Sequence, residues 1–179
     1  AMGSLYAMVL DRHGRLADTE LASGSVAAID IGTLTTNYIL CDRLQYIEPA
    51  SDSIRVGIST ALRHIARDWR DEFGLDWTQQ LGKVDRAVRA GQLELHGQSL
   101  DITDRVQPRL QAVAETIVSH AHSLWGRGQE LRAVIATGGG ALLLAPFLRA
   151  AFPHLRQVEG DPQLANVTGY LRIGLRRFG

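Results

Sequence analysis

Two segments of this sequence carry residue types suited to holding a phosphate. The first is Asp30-Ile31-Gly32-Thr33-Leu34-Thr35-Thr36. Asp30 is the one acid in an apolar run, a costly placement unless it meets water, a metal or a hydrogen-bond donor at the strand end. Next to phosphate, its task would be to hold a hydrated Mg²⁺ or to orient a water. Gly32 lets the backbone come close to a ligand, and the hydroxyls of Thr33, Thr35 and Thr36 join the turn amides as partners for phosphate oxygens. The second segment is Thr137-Gly138-Gly139-Gly140-Ala141. Three adjacent glycines leave the chain bare, so that N–H groups can reach an anion or a ring can lie flat on it. Each segment also has a plainer reading, as a threonine-rich hairpin and as a tight turn. A turn that needs positive φ is served by one glycine, and three exceed that need.

Both segments must be placed by strands. Val26 to Ile31 is a short apolar, partly β-branched run after Ser23-Gly24-Ser25, which suits a strand covered on both faces. Thr36 to about Tyr46 returns beside it, with a turn at Asp42-Arg43. Ala133 to Ala136 is a second buried strand that feeds the glycines directly, and a helix opening near Pro146 follows. Such strand-to-helix turns are where open α/β sheets bind ligands.

The remaining elements follow from periodicity. Leu5 to Leu10 reads as a strand or the end of a helix. Ile54, Ile58, Leu62, Ile65, Trp69 and Phe73 form one helical stripe that stops at Gly74. A weaker helix spans Trp77 to Ala90, and Leu93 to Ile102 reads as a hairpin turning at Gly97. A long helix begins at Thr103 or Asp104, with Pro108 tolerable near its start, and ends at Gly126. Leu155 to Val158 is one more strand. A terminal helix is expected to face Leu164, Val167, Leu171, Leu175 and Phe178 inward. The order predicts an α/β domain with a mixed β-sheet flanked by helices. Residues from about 59 to 102 form a small helical insertion in this reading.

The bounds are ordinary for one domain. The 179 residues are 45% hydrophobic, with 19 basic and 19 acidic side chains and a formal net charge of zero. That balance lacks the basic footprint of a nucleic-acid binder, so no direct nucleic-acid contact is expected. No apolar stretch approaches a membrane span, and no membrane association is expected. Ala1-Met2-Gly3-Ser4 reads as an expression scar outside a domain of residues 5–179. The single cysteine, Cys41, excludes an internal disulfide, fits a cytoplasmic protein, and reads as a small buried apolar residue.

With these motifs in order, the chain resembles the actin-like ATPases. Asp30 to Thr36 resembles their second phosphate motif, and Thr137 to Ala141 resembles their adenosine motif. Asp161-Pro162-Gln163-Leu164-Ala165-Asn166-Val167-Thr168-Gly169-Tyr170 is similar to the closing helix of the plasmid-segregating, ParM-like branch. The resemblance implies the ribonuclease-H-like fold of that superfamily, with ATP or ADP and Mg²⁺ as ligands. It implies that Asp30 acts on Mg²⁺ through water, in a catalytic role. It also implies that Gly32, Thr33, Thr35 and Thr36 cradle the terminal phosphates and that Gly138, Gly139 and Gly140 approach the α-phosphate and adenosine. Lys83 and Asp85 lie where the inserted region of such proteins touches base or ribose.

Departures bound the expectation. Thr33 and Leu34 stand where the family has a glycine-rich turn, and Asn37 where an Asp commonly follows the threonines. The family builds its site between two domains, each with its own phosphate loop, and one such loop is present here. The chain therefore resembles the second domain alone, expected to be an ATPase only with the missing first domain and to self-associate into filaments when intact, possibly in plasmid or DNA segregation. The alternatives are a sugar- or acetate-kinase-like or chaperone-type ATPase domain of the same fold, and a pseudo-ATPase interaction module.

Overall fold

The computed structural model describes residues 1–178. Its centre is β1 (Ser25–Ile31), antiparallel to β2 (Thr36–Asp42) on one side and parallel to β7 (Ala133–Thr137) on the other. The short strands β3 (Gln45–Tyr46) and β4 (Asp52–Ile54) pair with β2, and β8 (Leu155–Gln157) runs parallel to β7. The result is the expected mixed sheet, ordered β3-β2-β1-β7-β8.

The alternation of β1 divides the molecule into layers. Ala27, Ile29 and Ile31 face α3 (Ile58–Phe73), α5 (Thr103–Trp125) and α6 (Ala141–Ala151). Val26 and Ala28 belong to the opposite core, with α1 (Met2–Val9) and α2 (Thr19–Ser23). Two polar aromatic side chains in the layer of α3, α5 and α6 are paired as burial demands. The Tyr38 hydroxyl donates to the Ile117 carbonyl, and the Trp125 indole N–H donates to the Ala50 carbonyl.

The 59–102 stretch divides in two. Helix α3 lies in the main layer against α5, and the salt bridges Asp68–Arg109 and Glu72–Arg105 join the two helices. Charged residues on the outer face of α3 thus tie the two helices together. Beyond α3 lie α4 (Leu81–Ala90) and a two-stranded hairpin, β5 (Gln92–Leu95) with β6 (Gln98–Asp101), which pairs only with itself. The helices α3 and α4 stop where Gly74 and Gly91 adopt left-handed φ.

One expectation, that for the terminal helix, is corrected at the chain ends. Residues 2–4 form the first turn of α1, and both Gly3 and Ser4 are buried. Val167, Leu171, Leu175 and Phe178 of α7 (Ala165–Phe178) do not face inward; its buried residues are Ala165 and Gly169, with Ile173 half-buried against the same core. The reason is the crossing of α1 and α7. A Cβ on Gly169 would lie 1.6 Å from the Gly3 carbonyl oxygen, so the helices meet backbone to backbone. The small residues of α7 form that contact, and its apolar stripe is turned outward. Arg172 secures the pair by donating to the carbonyls of Ala7 and Leu10 at the C-terminal end of α1, where a cation suits the helix dipole.

Two measurements test this packing. Gly169→Ala should destabilise the fold by about 1–3 kcal/mol through overpacking. Gly174→Ala, on the same helix with nothing within 4 Å of a new Cβ, should instead stabilise it by about 0.5–1 kcal/mol. Urea unfolding of the two variants reads both signs. Burial also pushes the Cys41 thiol up to about 11, so a disulfide reagent at pH 8 should leave Cys41 unmodified until the chain is unfolded.

Candidate nucleotide site at the ends of two parallel strands

The two motifs meet. In the β1–β7 register Asp30 lies beside Thr137, so the turn after β1 and the glycine turn after β7 emerge side by side from the same end of the sheet. The contact is close. A Cβ on Gly138, which has φ +85°, would lie 2.5 Å from both Asp30 Oδ1 and the Ile31 carbonyl oxygen. One on Gly140 would lie 2.5 Å from Ile31 Cγ2. These two glycines are required for the glycine turn to pack on the end of β1, whatever else the turn binds. The Gly140 amide donates to the Ile31 carbonyl and the Gly138 amide to Pro162. The Gly139 amide has no acceptor among the described residues.

Asp30 shares the face of Val26 and Ala28, which directs it toward α1 and α7. Its side chain is 16% exposed. Oδ2 accepts a 2.8 Å hydrogen bond from Asn166 Nδ2 and lies 3.3 Å from the backbone nitrogen of Ala1, at the start of α1. Asn166 Oδ1 in turn accepts from the Ser4 amide. One side-chain amide therefore links α7, α1 and the carboxylate. Oδ2 is engaged and Oδ1 faces the glycine turn. Sequence reasoning placed Asn166 in a resembling segment without a role; an amide side chain among small residues on a helix facing the strand end was the available signal.

The turn Gly32–Thr35 closes with the Gly32 amide donating to the Thr35 carbonyl, and the amides of Thr33 and Leu34 have no acceptor among the described residues. The start of α3 sits directly on this turn: the Ile58 and Ser59 amides donate to the carbonyls of Gly32 and Thr33. A Cβ at Gly57 would lie 2.5 Å from the Thr33 oxygen, which explains glycine there. Thr36 stands apart from its predicted companions. It is fully buried, and its hydroxyl donates to the Val56 carbonyl at 2.7 Å, tying β2 to the entry of α3. Thr33 and Thr35 remain on the turn, with Gly32.

The region beyond the sheet reaches the same place. Arg89, on α4, donates at 2.7 Å to the Gly139 carbonyl and pairs with Asp85. Asp85 Oδ1 is buried with no donor among the described residues. Lys83 lies over the Trp77 ring instead, 5.6 Å from its centroid. Of the two residues expected near a base or ribose, Asp85 is thus tied to the glycine turn through Arg89, and Lys83 is held by an aromatic face. Among the described residues no three His, Cys, Asp or Glu side chains converge as a metal site, and no helix is long and apolar enough to cross a membrane. A cation beside Asp30 would therefore take one carboxylate and complete its shell from water and ligand oxygens, the habit of Mg²⁺.

Comparison with known proteins agrees with this architecture. A family model described as archaeal actin homologue MreB-like, C-terminal, matches residues 28–150. No curated protein matches the sequence. Among solved structures, the archaeal actin homologue Ta0583 is 19% identical with a TM-score of 0.79, covering 98% of this chain and 54% of its own. A ParM from a 15-stranded Clostridium botulinum filament is 16% identical with a TM-score of 0.74, covering 98% and 51%. A Bacillus thuringiensis ParM solved with ATP is 15% identical with a TM-score of 0.70, covering 99% and 54%. The chain thus spans about half the length of these structures. With a sheet order, a paired set of turns and a family match that all coincide, the chain belongs to the archaeal actin homologue MreB-like family, in its C-terminal domain.

Proposed function

We propose that this domain binds the phosphates of ATP, with Mg²⁺, between the Gly32–Thr35 turn and the glycine turn, as one half of a ParM-like ATPase. The observation that carries this reading is the set of unused groups gathered at one end of the sheet. The amides of Thr33, Leu34 and Gly139 have no acceptor among the described residues, and Asp30 Oδ1 faces the glycine turn while Oδ2 is held by Asn166. Bare amides in a turn suit phosphate oxygens, and a single fixed carboxylate suits a hydrated Mg²⁺. In this reading Asp30 holds Mg²⁺ through water, Gly32, Thr33 and Thr35 receive the terminal phosphates, and Gly138, Gly139 and Gly140 form the floor toward adenosine. Thr36 supports the turn from beneath. Asp85 Oδ1, a buried acceptor without a donor, suits a ribose hydroxyl. The ion's contribution would be to neutralise phosphate charge, and the chain's part is to position and exclude water.

The relatives extend the proposal to the whole protein. Ta0583 is an actin homologue, one ParM was solved in a filament and another with ATP. An intact protein of this kind would be a cytoplasmic ATPase that polymerises, with plasmid or DNA segregation as its role. Phosphoryl transfer needs charge and geometry imposed from several sides, and this half supplies one of them. The 179-residue chain alone should therefore hydrolyse ATP no faster than background.

Calorimetric titration of Mg·ATP into the full-length protein tests the site. Wild type should bind, and Asp30→Ala should abolish the gain in affinity that Mg²⁺ confers. Asn166→Ala, which frees Asp30 Oδ2, should weaken Mg²⁺-dependent binding by about tenfold, the usual cost of losing an outer partner of a metal-holding carboxylate. Equal binding by wild type and Asp30→Ala would instead mark an interaction module. Sedimentation with ATP separates a filament former from a kinase-like or chaperone-type relative of the same fold.

A further inference from the structure

The sheet ends at β8 without a neighbour. Strand β8 pairs with β7 alone among the described residues, so one side of its backbone has no strand beside it. Folds usually cover or shorten such an edge, because its N–H and C=O groups are a template for another chain. Here the edge borders a trough of about 760 Å³, bounded by residues 156–161, the C-terminal end of α1 and the first turns of α7. That volume is within the range of sites that hold a ligand. No residue of the two phosphate-binding turns lines it, so its use is independent of the nucleotide reading.

Its walls and its charge select the occupant. Ala7, Met8 and Leu10 on the α1 side face the trough, as do Leu164 and Ala165 on the α7 side, and these walls are apolar. The lining follows α7 from Leu164 to Arg172, about 12 Å at the rise of a helix. About four residues of extended chain cover that length. Four carboxylates border the trough, those of Asp11, Asp18, Glu159 and Asp161, against the two guanidiniums of Arg156 and Arg172. Both guanidiniums are engaged within the fold, Arg156 with Asp18 at 3.2 Å and Arg172 with the carbonyls of Ala7 and Leu10. Asp11, Glu159 and Asp161 have no ion-pair partner among the described residues. Gly3 lies against Asn166 and Arg172 reaches Leu10, so α1 and α7 run side by side in the same direction. Asp161, before α7, and Asp11, after α1, therefore stand at opposite ends of the trough.

We propose that this trough receives a short extended segment of a partner protein that carries lysine or arginine. The segment adds a strand to the free edge of β8, lays its apolar side chains against the walls of α1 and α7, and turns its cations to the acids at the two ends. Main-chain hydrogen bonds supply affinity open to any sequence, and the apolar walls and acidic ends supply the choice. A second copy of this chain is disfavoured as the occupant, since two such edges brought together would set the same carboxylates against each other.

Fluorescence anisotropy of labelled seven-residue peptides with the full-length protein tests it. A peptide alternating valine and lysine should bind and should slow hydrogen exchange of the amides at residues 156–160. The same peptide with glutamate in place of lysine should not bind. N-methylation at every residue keeps the charge but removes the main-chain donors, and it should weaken binding by about tenfold or more. Glu159 is exposed, and Glu159→Lys should weaken binding of the lysine peptide by about tenfold by setting like charges together. Glu94→Lys, the same charge change on the separate β5–β6 hairpin, should leave binding unchanged. The proposal is overturned if the lysine peptide does not bind, or if its N-methylated form binds as tightly, which is adhesion of charge alone. Equal losses from Glu159→Lys and Glu94→Lys overturn it as well, as does slowed exchange that maps outside residues 156–160. Slowing at those residues that grows with protein concentration in the absence of peptide assigns the edge to a second copy and overturns it too.

Discussion

Everything at the candidate site depends on the glycine turn lying directly against the last residues of β1. Parallel pairing brings β7 beside β1, and the distances from Gly138 to Asp30 and Ile31 leave no room for a side chain between them. This contact sets the spacing of the two turns, and the two turns set the spacing of their free amides. The supporting shell is built outward from it. The first turn of α3 is pinned to the β1–β2 turn by two amides, the buried Thr36 hydroxyl fixes the approach to α3, and Asn166 holds the carboxylate from the opposite layer. A site made largely of backbone is rigid only if such neighbours hold it, and here each neighbour is a separate element of the fold.

The strands β1, β2 and β7 were legible because they are short, apolar and bounded by glycine, serine and turn residues; β4 was not, since Ile54 falls in step with the helical stripe of α3 yet pairs with Thr36. The glycines at 74, 91 and 126 end helices as expected, and the turn of the second hairpin falls at His96-Gly97. Two further features were not legible, for one common reason. Periodicity identifies a stripe but does not say whether the stripe meets its own chain. Helix α7 offered two faces, one of large apolar residues and one of small ones, and the small face won because only it permits a backbone crossing with α1. Gly3 likewise carries no local pattern: a Cβ there would lie 2.1 Å from the Asn166 carbonyl oxygen of α7, a contact no neighbouring residue announces.

The candidate site was half legible as an arrangement of turns. Asp30, Gly32, Thr33, Thr35 and the three glycines could be named because unusual residue types clustered in turns. Thr36 could not be separated from Thr35 by type, and the β2 register decided between them by turning Thr36 into the core. Asn166 and Arg89 escaped because each acts across a long sequence separation, 136 residues to Asp30 and 50 to Gly139. Neither separation is marked by any local signature. In the region beyond the sheet, Trp77 draws Lys83 aside, which leaves the arginine one turn past Asp85 to reach the glycine turn.

The Gly3–Gly169 crossing has a consequence for how such chains can drift. A pair of interlocking side chains can exchange bulk, one shrinking as its neighbour grows, and the fit survives. Where two main chains already touch, neither position has anything to give up, so no second change can rescue the first. The two sites are bound to each other in space yet would leave no trace of paired variation among descendants. The junction of α1 and α7 would be recorded only as two separate, unvarying glycines.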